Sequence, residues 1–247
     1  MDMALHNSYD PLLVALSYAI SVFGAFTALQ LAVAIPTARG TALWGWVAGA
    51  AAAMGGGAIW SMHFIAMLAY RMPMRVSYDI GLTLGSLLLA MLVTGVGLYV
   101  VGRGEPSWLR LTAGGAATGI GVATMHYTGM AAMRMPARIT YSPTLFALSI
   151  VIAIVASMAA LWLAFNLRGN LQRFGSAFVM GAAVCGMHYT GMAAARFTPD
   201  YEHAPSAASG METGDLALAI FLFTAVLLTV ALAVALRRSR QALQLEA

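Results

Sequence analysis

Met62-His63-Phe64…Met67…Arg71, Met125-His126-Tyr127…Met130…Arg134 and Met187-His188-Tyr189…Met192…Arg196 are three copies of one pattern, and their spacing decides the fold. In each copy the arginine stands 8 residues beyond the histidine, and the histidines are 63 and 62 residues apart. Each histidine lies inside a long apolar stretch, where an imidazole is costly to place. Three such costs at equal intervals predict one shared site built by a repeated unit.

The surrounding composition names the solvent. Hydrophobic residues make up 61% of the 247 and charged ones 9%, against roughly 25% charged in a globular domain, so the chain belongs in a bilayer. Seven apolar runs long enough to cross a hydrocarbon core of ~30 Å can be counted. They fall at 12–35, 44–70, 80–101, 109–133, 144–166, 174–195 and 215–236. The expected fold is an all-α integral membrane domain occupying 1–247, with no soluble output domain. Its three two-helix repeats of about 62 residues run over 12–73, 80–136 and 144–199, and a seventh helix follows at 215–236. The first run is not a cleavable signal: Leu12 to Ile35 is too long for a secretory core, and the leader carries Asp2 and Asp10 but no base.

All 13 basic residues are arginines. With the N-terminus outside, the cytoplasmic segments hold Arg39, Arg103, Arg110, Arg168, Arg173, Arg237, Arg238 and Arg240. The outer segments then hold Arg71, Arg75, Arg134, Arg138 and Arg196, with seven of the nine acids. The bias, reinforced by the cluster after the last span, places the N-terminus outside and the C-terminus in the cytoplasm. The basic pI of about 9.5 does not imply nucleic acid, because the arginines are scattered at helix ends, where lipid headgroups are their partners. A single cysteine, Cys185, excludes an intrachain disulfide.

Each copy of the pattern also has a glycine seven residues before its histidine (Gly56, Gly119, Gly181) and a proline soon after its arginine (Pro73, Pro136, Pro199). Seven residues is nearly two turns, so each glycine shares its histidine's face and admits a neighbouring helix. The prolines are expected to stop the helices on the outer side. Because a repeat holds two spans, the second, fourth and sixth helices cross in one direction and their histidines share a depth. Starting near Trp44, Leu109 and Phe174, these helices reach the histidines after 19, 17 and 14 residues, which places the layer in the outer leaflet. The segment 197–214, with Asp200, Glu202, His203 and Gly210, reads as a solvated outer loop, and Arg237 to Ala247 as a tail too short to fold.

On a helix, His i and Met i+4 lie about 40° apart, so His63/Met67, His126/Met130 and His188/Met192 can each aim an imidazole and a thioether at one point. Met62, Met125 and Met187 line the neighbouring face. Imidazole suits zinc, copper, nickel and iron, whereas thioether is a soft donor that favours Cu(I) and is not used for zinc. Copper is therefore the expected ion if any methionine binds, and zinc competes if only histidines do. Cys185, three residues before His188, could add a thiolate but has no counterpart in the other copies. Arg71, Arg134, Arg196, Tyr127 and Tyr189 could support the ligands from behind, but they also have plainer readings, the arginines as interfacial anchors and the tyrosines, with Phe64, as interface aromatics. No catalytic residue is expected.

Two alternatives follow from the same residues. A membrane oxidoreductase could use either mononuclear copper or haem b held by two of the histidines. A methionine-rich path could pass copper, but that needs a deeper layer, for which Met54, Met91, Met158 and Met180 are the scattered candidates. No carboxylate lies within a span, which argues against a proton-coupled transporter.

With Met125-His126-Tyr127-Thr128 and Met187-His188-Tyr189-Thr190 in place, the chain resembles the MHYT domain, a bacterial seven-span sensor module, over roughly 9–236. The first copy departs from the pattern, reading Met62-His63-Phe64-Ile65. The resemblance implies a bacterial cytoplasmic-membrane protein that binds copper through motif histidines and methionines near the outer face. It further implies sensing of oxygen, carbon monoxide or nitric oxide, and output through cyclic di-GMP enzymes or another cytoplasmic partner. The oligomeric state is left open.

Overall fold

The computed structural model describes residues 8–105, 107–167, 169–200 and 210–246. The expected positions Arg168, Glu202 and His203 lie outside the described residues, as do the side chains of Arg238 and Arg240. The helices are α1 (Pro11–Ala32), α2 (Gly40–Ala69), α3 (Ile80–Gly102), α4 (Trp108–Ala131), α5 (Pro143–Asn166), α6 (Asn170–Ala194) and α7 (Thr213–Glu246). Among the described residues, α1, α2, α3, α5, α6 and the Thr213–Val234 part of α7 are six helices long and apolar enough to cross a membrane. α4, rich in glycine and threonine, is not among them.

The helix starts have local causes. Pro11 and Pro143 open α1 and α5, where a missing N–H costs nothing. Asp10 and Asp79 cap α1 and α3 by accepting from Leu12, Leu13 and Leu82. Gly40 and Gly169, at φ 58° and 94°, turn the chain into α2 and α6. Those two helices therefore begin four residues before the expected Trp44 and Phe174.

The helices close into a ring in which α1, α2, α3, α4, α5 and α6 each pack on the next and α6 returns to α1; α7 lies outside it against α2 and α1. The span of α2 is 89% buried, against 17% for those of α5 and α7, so α2 is the most enclosed. Small polar side chains such as Ser17, Ser86, Thr94 and Ser149 are buried, while Leu84, Leu88, Leu92, Val151, Val155, Leu222 and Val226 are exposed. That inside-out distribution suits lipid as the surrounding medium and small residues as the helix contacts. The chain is a multi-pass membrane protein.

Within α2, residues Ala52–Ser61 form a π-helical stretch, and Met62–Ala69 continues as α-helix. The run Gly55-Gly56-Gly57 weakens the ordinary helix there, and Ser61 Oγ donates to the carbonyl five residues back, Gly56, at 2.8 Å. Neighbours occupy the space the glycines leave: Ala90 backbone of α3 against Gly55, and Leu228 of α7 against Gly57.

The C-terminal ends of the motif helices differ from expectation. Helices α2, α4 and α6 end at Ala69, Ala131 and Ala194, several residues before Pro73, Pro136 and Pro199. What ends them is strand pairing. β1 (Ser8–Tyr9) pairs with β2 (Tyr70–Arg71), β3 (Ser77–Tyr78) with β4 (Met133–Arg134), and β5 (Ala137–Tyr141) with β6 (Ala195–Pro199), all antiparallel. The N–H groups of Asp10, Asp79 and Ser142 donate to the carbonyls of Ala69, Ala132 and Ala194, so α1 is tied to α2, α3 to α4 and α5 to α6 by extended backbone. The motif arginines accordingly sit on strands. β7 (Met211–Glu212) adds to β3, so 197–214 is not wholly loop. The segment after Arg237 is not an unfolded tail either, because α7 continues helically to Glu246.

Candidate metal centre

His63, His126 and His188 meet inside the ring, each 1% exposed. His63 Nδ1 lies 3.0 Å from His188 Nδ1 and 3.1 Å from His126 Nδ1, and the three rings stand edge-on to one another at centroid separations of 4.9–5.1 Å. The candidate ligand nitrogens all lie within 4.8 Å of one another.

This arrangement is poorly satisfied by protein alone. A neutral imidazole has one N–H and one lone pair, and all three Nε2 atoms are buried with no hydrogen-bond partner. If the protons sit on Nε2, three Nδ1 lone pairs face one another. If one sits on Nδ1, its Nε2 becomes a bare buried acceptor. A cation among the Nδ1 atoms removes the lone-pair conflict. Metal–nitrogen bonds of ~2.0–2.1 Å in a three- or four-coordinate centre put ligand nitrogens about 3.3–3.6 Å apart, so the two pairs that His63 makes reach an ion's spacing by opening a few tenths of an ångström, and the third pair lies within 4.8 Å.

The six motif methionines are buried side chains: Met62, Met67, Met125, Met130, Met187 and Met192 are each 4% exposed or less. Met187, with Met54 and Met180, also lines an interior cavity of about 50 Å³; Met91 and Met158 are not among its walls. Cys185 is a free, half-buried thiol and is not part of the histidine cluster. Gly119 packs on the backbone of Ile154 in α5 and Gly181 on Val22 and Tyr18 in α1, whereas Gly56 faces the side chains of Phe223, Leu227 and Leu87.

The motif tyrosines are tied to serines that sequence reasoning passed over. Ser17, Ser86 and Ser149 each lie seven residues after the cap residue of their helix, Asp10, Asp79 and Ser142, and each donates to the carbonyl three residues back. Their oxygens remain free to accept. Tyr127 hydroxyl lies 2.6 Å from Ser149 Oγ, and Tyr189 hydroxyl 3.4 Å from Ser17 Oγ. In the first copy Phe64 has no hydroxyl, and Trp60 Nε1 donates to Ser86 Oγ at 3.0 Å instead. The signal was the repeated interval from cap to serine.

At the rim formed by these strand pairs Arg71 pairs with Asp10 at 2.5 Å and Arg134 with Asp79. These guanidinium hydrogen bonds, first among the causes, hold both carboxyls below their usual range, helped by the capped backbone N–H groups. In the third copy the equivalent of the aspartate is Ser142, and Arg196 has no carboxylate partner among the described residues. Beneath the site, Thr224 of α7 and Ser61, two residues before His63, share a buried hydrogen bond of 2.7 Å. Trp60 meets Phe223 of α7 edge-on at 5.6 Å.

A sequence profile of the family described as "Bacterial signalling protein N terminal repeat" (MHYT) matches residues 56–114, 119–177 and 181–246. The bifunctional diguanylate cyclase/cyclic di-GMP phosphodiesterase MucR of Pseudomonas aeruginosa is 45% identical over 241 residues, which is 96% of this chain and 35% of that protein. The cyclic di-GMP phosphodiesterase NbdA of the same organism is 37% identical over 194 residues, 76% of this chain and 24% of that protein. The signaling protein YkoW of Bacillus subtilis is 35% identical over 205 residues, 80% of this chain and 25% of its own length. The chain thus spans about a quarter to a third of the curated relatives it matches. No solved structure matches it.

Proposed function

This chain belongs to the MHYT family of bacterial signalling proteins, and from that premise we propose that it is a copper-binding sensor domain of the bacterial cytoplasmic membrane. The observation that carries the reading is the convergence of three buried Nδ1 atoms at 3.0 and 3.1 Å. In this reading α4 completes a seven-span domain, the three repeats run 12–73, 80–136 and 144–199, the N-terminus is outside and the C-terminus cytoplasmic. The Nδ1 atoms of His63, His126 and His188 hold the ion, and the buried motif methionines favour Cu(I) over zinc as its soft surroundings. Copper, when bound, supplies a redox-active centre able to take a diatomic ligand such as oxygen, carbon monoxide or nitric oxide. Haem b fits less well, because nitrogens 3.0 Å apart leave no slot for a macrocycle between two rings.

The residues of this chain convert a change at the centre into movement. His63 is the ring that approaches both others, and it lies two residues beyond the π-helical stretch, whose wide turns mark a helix able to change register. That stretch touches α7 through Ser61–Thr224, Trp60–Phe223 and Gly57–Leu228. A shift of His63 would be passed to α7, which runs as one helix to Glu246 and so to a cytoplasmic partner or output domain, such as the cyclic di-GMP enzymes named among its relatives. The difference between two packings is the signal. Sensing, not catalysis, is the role assigned to this domain.

Elemental analysis and an optical spectrum of the purified protein test the reading, alongside the variant with all three histidines changed to alanine. Copper near one equivalent, lost in the triple variant, is expected. Zinc alone, a Soret band, or unchanged copper in the triple variant would overturn it.

A further inference from the structure

We propose that Gly129 and Gly191 are positioning residues that turn the histidine rings so that Nδ1, and not Nε2, faces the centre. The proposal rests on the metal-site reading above for its purpose, but its geometry stands apart from it. A Cβ on Gly129 would overlap Nε2 of His63, with Cδ2 and Cε1 of the same ring next nearest. A Cβ on Gly191 would overlap Nε2 of His126, again followed by that ring's Cδ2 and Cε1.

Both glycines stand three residues after their own histidine, on the neighbouring flank of the helix. The contact therefore runs one way round the centre: the ring of repeat one rests on the glycine of repeat two, and the ring of repeat two on the glycine of repeat three. In repeat one the same position is Ala66, fully buried, so the seats are not equivalent.

These glycines differ in kind from those that let helices approach. Gly119 meets the backbone of Ile154 and Ala153, and Gly55 that of Ala90 and Met91, whereas the three nearest atoms to Gly129 and to Gly191 are all histidine ring atoms. The unpartnered state of Nε2 in His63 and His126 shows that the seat supplies room and not a hydrogen bond. A methyl group there must push the ring toward the centre or rotate it, and either movement spoils a trio whose members already stand 3.0 and 3.1 Å apart. The ring edge that lies on backbone has no space beside it for an ion, so ligation falls to Nδ1.

Thermal unfolding of full-length protein in nanodiscs, without metal, decides the seat. Gly129→Ala should lower Tm in the wild-type background and do so far less in a His63→Ala background, where the ring is gone. Gly191→Ala should be relieved by His126→Ala and not by His63→Ala. Gly186→Ala, on α6 with nothing within 4 Å of a Cβ, should be indifferent to both. Equal Tm losses in all backgrounds would reduce the glycines to ordinary helix packing and overturn the proposal. Nitrogen-15 NMR of histidine-labelled protein with Cu(I) reads the consequence: three metal-bound Nδ1 atoms in wild type, and an affinity roughly 10- to 100-fold lower in Gly129→Ala, the size expected when a group orienting a ligand is altered. Ligation through Nε2 in wild type would overturn it. Wild-type protein that binds no Cu(I) would sink the metal reading, while the unfolding comparison would still decide the seat.

Discussion

The first repeat and the other two solve the same packing problem with different parts. Repeats two and three use plain α-helices carrying Tyr-Thr-Gly after the histidine, and their tyrosines reach Ser149 and Ser17. The first carries Phe-Ile-Ala, has a π-helical stretch before the histidine, and fills the serine from Trp60, three residues ahead of His63. It is also the copy that α7 touches. What every copy keeps is an acceptor serine satisfied by an aromatic donor and an imidazole at the centre. What differs is the wall of the first copy, where α7 and the triple glycine meet. The family pattern therefore tolerates loss of the tyrosine hydroxyl where another donor can reach the same oxygen.

If the first copy is the hub, the histidines are not interchangeable. Because His63 Nδ1 lies within 3.1 Å of both partners, His63→Ala should weaken Cu(I) binding more than His126→Ala or His188→Ala. The expected loss is at least about 100-fold, the upper end of what altering even an outer partner does. Competition titration against a Cu(I) chelator checks this, and equal losses for the three variants would break the asymmetry.

Substitution of the aromatic donor sharpens the comparison. Trp60→Phe removes a buried donor and part of a ring that packs on Phe64 and Phe223, and should cost about 2–4 kcal/mol in denaturant unfolding. Tyr127→Phe removes a hydroxyl alone and should cost about 0.5–1.5 kcal/mol. Adding Phe64→Tyr to Trp60→Phe imports the second copy's solution, and recovery of about 1 kcal/mol would show that the two devices are equivalent. No recovery would mean that the π-helical stretch has moved the ring off Ser86.

The link to α7 is smaller in energy and larger in consequence. Thr224→Val preserves shape but leaves Ser61 without its 2.7 Å partner, at a cost of about 1 kcal/mol. Copper binding should persist, while any copper-dependent change in distance between spin labels near His63 and at the far end of α7 should shrink. An unchanged response would place the coupling elsewhere.

Much of this was legible from spacing. Intervals of 63 and 62 residues, each containing two apolar runs, are enough to expect three like-directed helices with histidines at one level, because a helix pair returns the chain to the same side. The serines were missed because hydroxyls in apolar runs carry no charge to announce them, although the seven-residue interval from Asp10, Asp79 and Ser142 repeats as regularly as the motif. Trp60 stands where the other copies have Ala123 and Cys185, so no repeat comparison marks it as a donor. The prolines misled about where helices end, since strand pairing at Arg71, Arg134 and Arg196 takes the backbone out of the helix first. The helix beyond Arg237 was hidden by its polar surface, which periodicity over so short a stretch does not distinguish from coil.

The rim offers the mildest contrast, and here the third repeat is the exception. Asp10 and Asp79 each cap a helix and pair with a motif arginine, while Ser142 does neither with a charge. A carboxyl held below its ordinary range contributes stability that is fully present above the unfolded value, about 3.9, and is lost as pH falls through the lowered folded value. Both aspartates are displaced in that direction, so these two rims should be insensitive between about pH 4 and 7 and loosen only in stronger acid. Amide exchange at Asp10, Asp79 and Ser142, corrected for its intrinsic acid dependence, reads all three corners at once through their bonds to Ala69, Ala132 and Ala194. Acid should open the first two before the third. Simultaneous opening would mean that the strand pairs, and not the ion pairs, hold the rim, and the contrast between charged and uncharged corners would then have no energetic content.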